Sequence, residues 1–231
     1  MKKTPFQFPM RVYERVIGIL YIPAHAFLLP LIAAIISSVV GWNADDATFT
    51  LVYYAFGALF LLLAMNQYWR ATIRDLKNAP FRALQAVILG FVMYFFSNIV
   101  VAVIMSMLER DAINPNTAAV HDIIAINADM MIVTMVLLAP IVEETMFRGA
   151  LFGTIRKKSR LLAYVVSAAL FAVYHLWGYS FSDVSILICA LQYIPASIAL
   201  AWCYEWSGTL TAPVVLHAMI NLIGAINIVW R

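Results

Sequence analysis

Of the 231 residues, 64% are hydrophobic and only 12% are charged, against roughly 25% charged residues in a soluble domain. The net charge of +3 is small, and the chain has no basic, aromatic-interleaved surface stretch, which excludes a nucleic-acid partner. The two cysteines, Cys189 and Cys203, lie in apolar runs without CxxC spacing and read as small buried hydrophobes.

In chain order, apolar segments fall at approximately 16–40, 50–69, 83–108, 129–154, 161–178, 184–204 and 209–230. Several reach the ~20 residues that a spanning helix needs. The fold class is therefore all-α, a polytopic transmembrane bundle of about seven spans. Six to eight fit as well, because the connection at Ser207-Gly208 is short and the first segment is compatible with re-entry. That segment carries Pro23 and Pro30 and should be kinked. Ala24-His25-Ala26 loosely resembles a leader-cleavage site, but the apolar run continues through Phe27–Val40 and reads as a retained span. No internal repeat is evident. The chain divides into helices over 1–128 without a motif and a motif-bearing core over 129–231.

Loop charges alternate. Lys2, Lys3, Arg11 and Arg15 precede the first span. Arg70, Arg74, Lys77 and Arg82 follow the second, and Arg156, Lys157, Lys158 and Arg160 follow the fourth. The intervening loops hold Asp45 and Asp46, then Glu109, Asp111 and Asp122 against a lone Arg110, then Asp183. The final short connection carries Glu205. By the positive-inside rule the N-terminus is cytoplasmic. Trp42, Trp69, Trp177, Trp206 and Trp230 fall near predicted span ends, as an interfacial belt would place them.

Ionisable side chains within a span cost roughly 2.5–3.5 kcal/mol each on insertion scales, so they persist where they are paired, hydrated or functional. Here they are Glu143, Glu144, Arg148, His175 and His217, joined by the polar Asn221. Glu144 and Arg148 are four residues apart and can pair along one helix face. Glu143, about 100° around the helix, is then free to face elsewhere. With a ~1.5 Å rise, Glu143, His175 and His217 lie ~18, ~22 and ~14 Å from the cytoplasmic face, close to one layer. His25 reads as lining the kink after Pro23, and His121 as exposed in a loop.

A carboxylate, two imidazoles and an amide in a hydrated pocket suit hydrolysis. The Glu serves as general base on water and a His orients that water or protonates the leaving amine. The second His and the Asn stabilise an oxyanion. The same Glu143, His175 and His217 could instead hold a divalent metal such as zinc with an open position for water. There is no H-E-x-x-H, and no serine nucleophile elbow or aspartyl-protease pattern competes. A proton-coupled transporter would also place Glu and His in spans, but the missing inverted repeat argues against one.

The runs Glu143-Glu144-Thr145-Met146-Phe147-Arg148 (E-E-x-x-x-R), Phe171-Ala172-Val173-Tyr174-His175 (F-x-x-x-H) and His217-Ala218-Met219-Ile220-Asn221 (H-x-x-x-N) stand in this order on separate spans. Together with the approach Ser207–Pro213, they resemble the CPBP (CAAX protease and bacteriocin-processing, also called Abi) family over about 129–225. The resemblance implies an intramembrane protease, in a family often labelled metalloprotease. Glu143 would activate water with His175 assisting, and His217 and Asn221 would support the oxyanion. Glu144, Arg148 and Phe171 would hold the site together. It implies a peptide or membrane-anchored protein as substrate and a lipid bilayer as surroundings. The compact size and bare loops look bacterial, hence a cytoplasmic (inner) membrane. A member that keeps the fold without catalysis would be an immunity, scaffold or regulatory protein.

Overall fold

A computed structural model describes residues 9–108, 114–179 and 183–229. The loop charges Lys2, Lys3, Glu109, Arg110 and Asp111, and Trp230, lie outside the described residues. Those described form nine helices: α1 (Val12–Val40), α2 (Asp46–Ala64), α3 (Asn66–Asn78), α4 (Pro80–Leu108), α5 (Pro115–Ile126), α6 (Ala128–Arg156), α7 (Arg160–Leu176), α8 (Val184–Ser207) and α9 (Thr211–Val229). Six are long and apolar enough to cross a membrane, and α7 is a shorter apolar helix. The protein is an integral membrane helical bundle with about seven spans.

The boundaries follow local chemistry. Asp45 caps α2 by accepting the Thr48 N–H at 2.8 Å, and that bond holds the Asp45 carboxyl below its ordinary pKa. Asn114, Asn127 and Ser159 cap α5, α6 and α7 in the same way. Gly41 and Gly208 end α1 and α8 with φ of 69° and 76°, a left-handed conformation that favours glycine. Gly208 is what divides α8 from α9, at the shortest of the expected connections.

Two helices lie wholly or mostly in stretches read from the sequence as loops; residues 66–69 of the first belong to the expected second span. Residues 66–78 form α3, which is too polar to span. It buries Tyr68, Trp69, Ala71 and Thr72 on one face and exposes Arg70, Arg74 and Lys77 on the other. Trp69 is therefore a core residue, whereas Trp42 and Trp177 are 40% exposed at helix ends. Residues 115–126 form α5, with His121 exposed.

The basic segments meet at one end of the bundle. Glu14, fully buried, accepts the Arg11 N–H and the Tyr68 N–H at 3.0 and 2.9 Å, tying the starts of α1 and α3 through N–H groups that have no intrahelical partner. Thr72 and Thr209 share a 2.9 Å hydroxyl contact, and Arg82 donates to the Trp206 carbonyl. Glu205 gathers Arg156, Arg160 and the Tyr164 hydroxyl.

One core cluster joins Tyr21, Leu61, Met65, Tyr68, Phe147 and Phe152 across α1, α2, α3 and α6. A second joins Ala86, Val87, Leu200, Cys203 and Leu216 across α4, α8 and α9. Apolar side chains such as Leu31, Ile35, Phe96 and Val100 remain exposed, as a surface against lipid requires. In the most apolar window of α6, 56% of the residues are buried, against 11–33% in the other five long helices, which makes α6 the central element.

Helix α6 is reached closely by α1. A Cβ placed on Gly18 would stand 2.5 Å from the Ala150 Cβ, so the two small residues set the approach. Gly18→Ala is expected to cost about 1–3 kcal/mol through overpacking, read as a lower thermal midpoint in detergent. An unchanged midpoint would mean that α1 is not seated on α6 as described.

Candidate active site

Helix α6 is not a uniform α-helix. Over Thr134–Leu138 and again over Thr145–Phe152 it widens to five-residue hydrogen bonding, and the short α-helical turn between them, Ala139–Glu144, carries the two glutamates. Such wide turns occur frequently at functional sites. Pro140 explains a consequence of the first. In the wide register the Ala139 N–H reaches the Thr134 carbonyl, and the next donor, to Met135, would be residue 140, which as proline has no N–H. The Met135 carbonyl instead accepts from Asn221 Nδ2 of α9 at 2.8 Å.

The same device recurs in α1. The Leu29 N–H reaches Ala24 across the wide turn Ala24–Leu28, Pro30 follows, and the His25 carbonyl that Pro30 cannot serve accepts from the Tyr53 hydroxyl of α2. Leaving a buried carbonyl unpaired costs about 1–3 kcal/mol. Asn221→Leu is therefore expected to lower the thermal midpoint of substrate-free protein. A residue serving only the cavity wall would leave it unchanged.

Around the glutamates the polar groups converge. Glu143 is 4% exposed. Its Oε1 accepts from the Tyr54 hydroxyl at 3.3 Å. Its Oε2 has no hydrogen-bond partner among the described residues and faces the Nε2 atoms of His175 at 3.7 Å and His217 at 3.9 Å. Both rings are held from behind. His175 Nδ1 lies 2.8 Å from the Phe171 carbonyl, and His217 Nδ1 lies 2.8 Å from Glu144 Oε1. A carbonyl and an ionised carboxylate only accept, so each Nδ1 carries a proton, and a ring holding no second proton turns a bare Nε2 toward Glu143. Three acceptors thus face one another beyond hydrogen-bond distance. The arrangement calls for a proton donor between them, and a water molecule is the simplest.

Glu144 and Arg148 are both fully buried and pair at 3.1 Å. The guanidinium also donates to the Ser197 carbonyl and hydroxyl of α8 and lies 4.3 Å from the centre of the Phe171 ring, a cation–π contact. Glu144, Arg148 and Phe171 therefore form a scaffold under both histidines. Tyr193 stacks on His175 with ring centroids 4.5 Å apart. A cavity of about 410 Å³ is lined by Phe171, His175, His217, Asn221, Gln192 and Tyr193, among others. A second, of about 190 Å³, is also lined by His175, together with His25, Tyr53, Tyr54 and Tyr174.

All the residues singled out from the sequence therefore meet except Asn221, which lines the same cavity but binds Met135 rather than the other motif residues. Tyr54, Ser197 and Tyr193 were not foreseen; lying outside the motifs, they gave no signal. Glu143, His175 and His217 are the residues that would hold a metal ion. Two ligands on one tetrahedral zinc stand roughly 3.3 Å apart, closer than the distances here. Among the described residues no group of three or more His, Cys, Asp or Glu side chains is arranged to hold an ion. Glu143 Oε2 and the two Nε2 atoms thus stand wider apart than ligands already gathered on one zinc ion.

Fold and site together define a multi-span helical membrane protein with a carboxylate–imidazole cluster buried beside a cavity. The family model described as type II CAAX prenyl endopeptidase Rce1-like matches residues 126–223, a stretch that contains all three motifs, so the resemblance read from them holds over this part of the chain. A curated relative, the UPF0177 protein YxdF of Lactococcus lactis subsp. lactis (strain IL1403), is 30% identical over 88 residues, covering 38% of this chain and 44% of that protein. The chain thus spans less than half the length of that relative. No solved structure matches.

Proposed function

We propose that the protein is an intramembrane endopeptidase that hydrolyses a peptide bond in a membrane-associated protein or peptide, in a bacterial cytoplasmic membrane with its basic end toward the cytoplasm. The observation that carries this reading is the facing of Glu143 Oε2 by the Nε2 atoms of His175 and His217, whose Nδ1 atoms are held by Phe171 and Glu144.

Water placed between Glu143 Oε2 and His175 Nε2 gives its proton to Glu143 as its oxygen attacks the scissile carbonyl. The carbonyl π electrons move to oxygen. His217 takes up a proton from solvent at Nε2 as substrate enters, with Glu144 balancing the charge at Nδ1, then donates a hydrogen bond from it to the oxyanion and keeps the proton through the turnover. The second amide proton of Asn221, the one not given to Met135, supports the oxyanion. Collapse of the intermediate breaks the C–N bond, and the proton held on Glu143 passes to the leaving amine directly or through His175. No step is routed through a metal. The amide-rich cavity beside His175 suits an uncharged, extended peptide segment.

The test compares peptide termini in membranes from cells carrying wild-type protein or Glu143→Gln at matched expression. Termini unique to wild type support proteolysis and nominate a substrate for purified protein. A phenotype retained in full by Glu143→Gln, with no difference in termini, replaces this reading with a non-catalytic immunity or scaffold role.

A further inference from the structure

The larger cavity lies to one side of the site along the bundle. In α4, Ala83, Ala86 and Val87 pack with Leu200 and Cys203 of α8 and with Ala212 and Leu216 of α9. A Cβ built on Gly90 would stand 2.7 Å from Leu216 Cδ2, so α4 and α9 approach closely there. Past this packed layer the cavity lining begins in all three helices. It starts at Tyr94 in α4, at His217 in α9 and at Ala196 in α8, which runs the other way. The packed layer is on the side of the basic segments, where Arg82 at the start of α4 donates to the Trp206 carbonyl at the end of α8.

Helix α6 repeats the order. Phe147, Arg148 and Phe152 follow the glutamates toward the basic Arg156 and are 0% exposed. Beside them Tyr68 of α3 and Tyr204 of α8 close the layer with a 2.9 Å hydroxyl contact. From the basic end the site is therefore sealed by packing. On the other side, two rows of side chains lead away from it. Tyr94, Asn98, Val101 and Met105 of α4, and His217, Asn221, Gly224 and Ile228 of α9, recur every three or four residues and so share one face of each helix. Each row runs ~16 Å at a ~1.5 Å rise per residue, the length of about five residues of extended chain.

Asn98 and Asn221 stand in these rows, and Asn116 of α5 and Gln192 of α8 bring two more side-chain amides to the cavity wall. Such groups can pair with the N–H and C=O groups that an extended segment leaves open. No Asp, Glu, Lys or Arg is among the described residues that line the cavity, so a charged side chain would enter it without a counter-ion.

We propose that the site is entered from the end of the bundle opposite the basic segments, and that the cavity admits about five uncharged, extended residues of a substrate presented there. With the basic end in the cytoplasm, that end is the outer face of the membrane. The peptide occupant and the outer face rest on the function and orientation proposed above; the direction of entry does not.

The experiment labels single cysteines with a charged, membrane-impermeant maleimide, in spheroplasts and in inverted vesicles. Wild type is the blank, since Cys189 and Cys203 are both buried. Asn43→Cys and Arg74→Cys report the two ends of the bundle from exposed positions. Gly224→Cys reports the cavity, where a Cβ would meet nothing within 4 Å outside its own helix among the described residues. Asn98→Cys reports a position nearer the packed layer, and serves alone should Gly224→Cys fold poorly.

Both cavity cysteines are expected to react at least tenfold faster in the preparation that exposes Asn43→Cys, and that preparation is expected to be spheroplasts. Faster reaction alongside Arg74→Cys, or reaction in neither preparation, overturns the direction of entry. Reaction alongside Asn43→Cys in inverted vesicles overturns the outer-face assignment. On the substrate nominated by the comparison of termini, maleimide on Gly224→Cys is expected to lower kcat/KM at least tenfold against the same variant unlabelled. Equal rates overturn the cavity as the seat of the peptide. Labelling as expected in a protein that generates no new termini removes the protease reading and leaves the direction of entry standing.

Discussion

Glu143→Gln is expected to lower kcat by about 10²–10⁴, the usual worth of a general base, while leaving KM and thermal stability intact. The reason lies in what the two oxygens do. Oε1 accepts from Tyr54, and the amide oxygen of glutamine can keep that bond. Oε2 has no donor among the described residues and faces two nitrogens that cannot supply one when neutral. An amide N–H in its place offers His175 Nε2 the donor that it lacks. The variant should therefore match or exceed wild type in thermal midpoint while losing the group that takes the proton from water. Full cleavage by the variant eliminates Glu143 as base. Loss of both activity and folding would show that the carboxylate is structural.

Arg148→Met is expected to be the most damaging substitution for the fold. Removing one partner of a buried ion pair costs about 3–5 kcal/mol, because the remaining charge is left uncompensated. Here that charge is Glu144, with both side chains fully buried. The same change removes the bonds to Ser197 and the cation on Phe171, so α6, α7 and α8 all lose a shared contact. Folded yield and thermal midpoint in detergent are the measurements. Adding Glu144→Gln to Arg148→Met should recover part of the loss, since no buried charge then lacks a counter-ion. A double variant no better than the single one would place the damage in packing rather than charge.

The parts of this architecture that follow from composition and spacing were legible without coordinates. Long apolar runs show the spans, and Glu144 and Arg148 at i and i+4 show their own pairing. The intramembrane histidines betray themselves by their solvation cost. What could not be read depends on long-range geometry. His25 finds Tyr174 across 149 residues, and no periodicity marks that contact. Asn221 was legible as a polar residue in a span, but its bond to Met135 depends on a wide turn that Pro140 leaves one donor short. Helices α3 and α5, of 13 and 12 residues, are too short to span and carry the polar residues that read as loops.

The wide turn at Thr134–Leu138 separates two properties of α6 that a regular helix would couple, its depth and its phase. One residue more per turn advances the chain by only ~1.5 Å but rotates everything after it by about 100°. Both the portion beginning at Ala128 and the portion carrying Glu143 and Glu144 lie against α2, and the turn sets the two carboxylates to face His175 of α7 and His217 of α9. In a chain built this way, gaining or losing a single residue before Pro140 re-aims the carboxylates around the helix axis at almost constant depth in the bilayer.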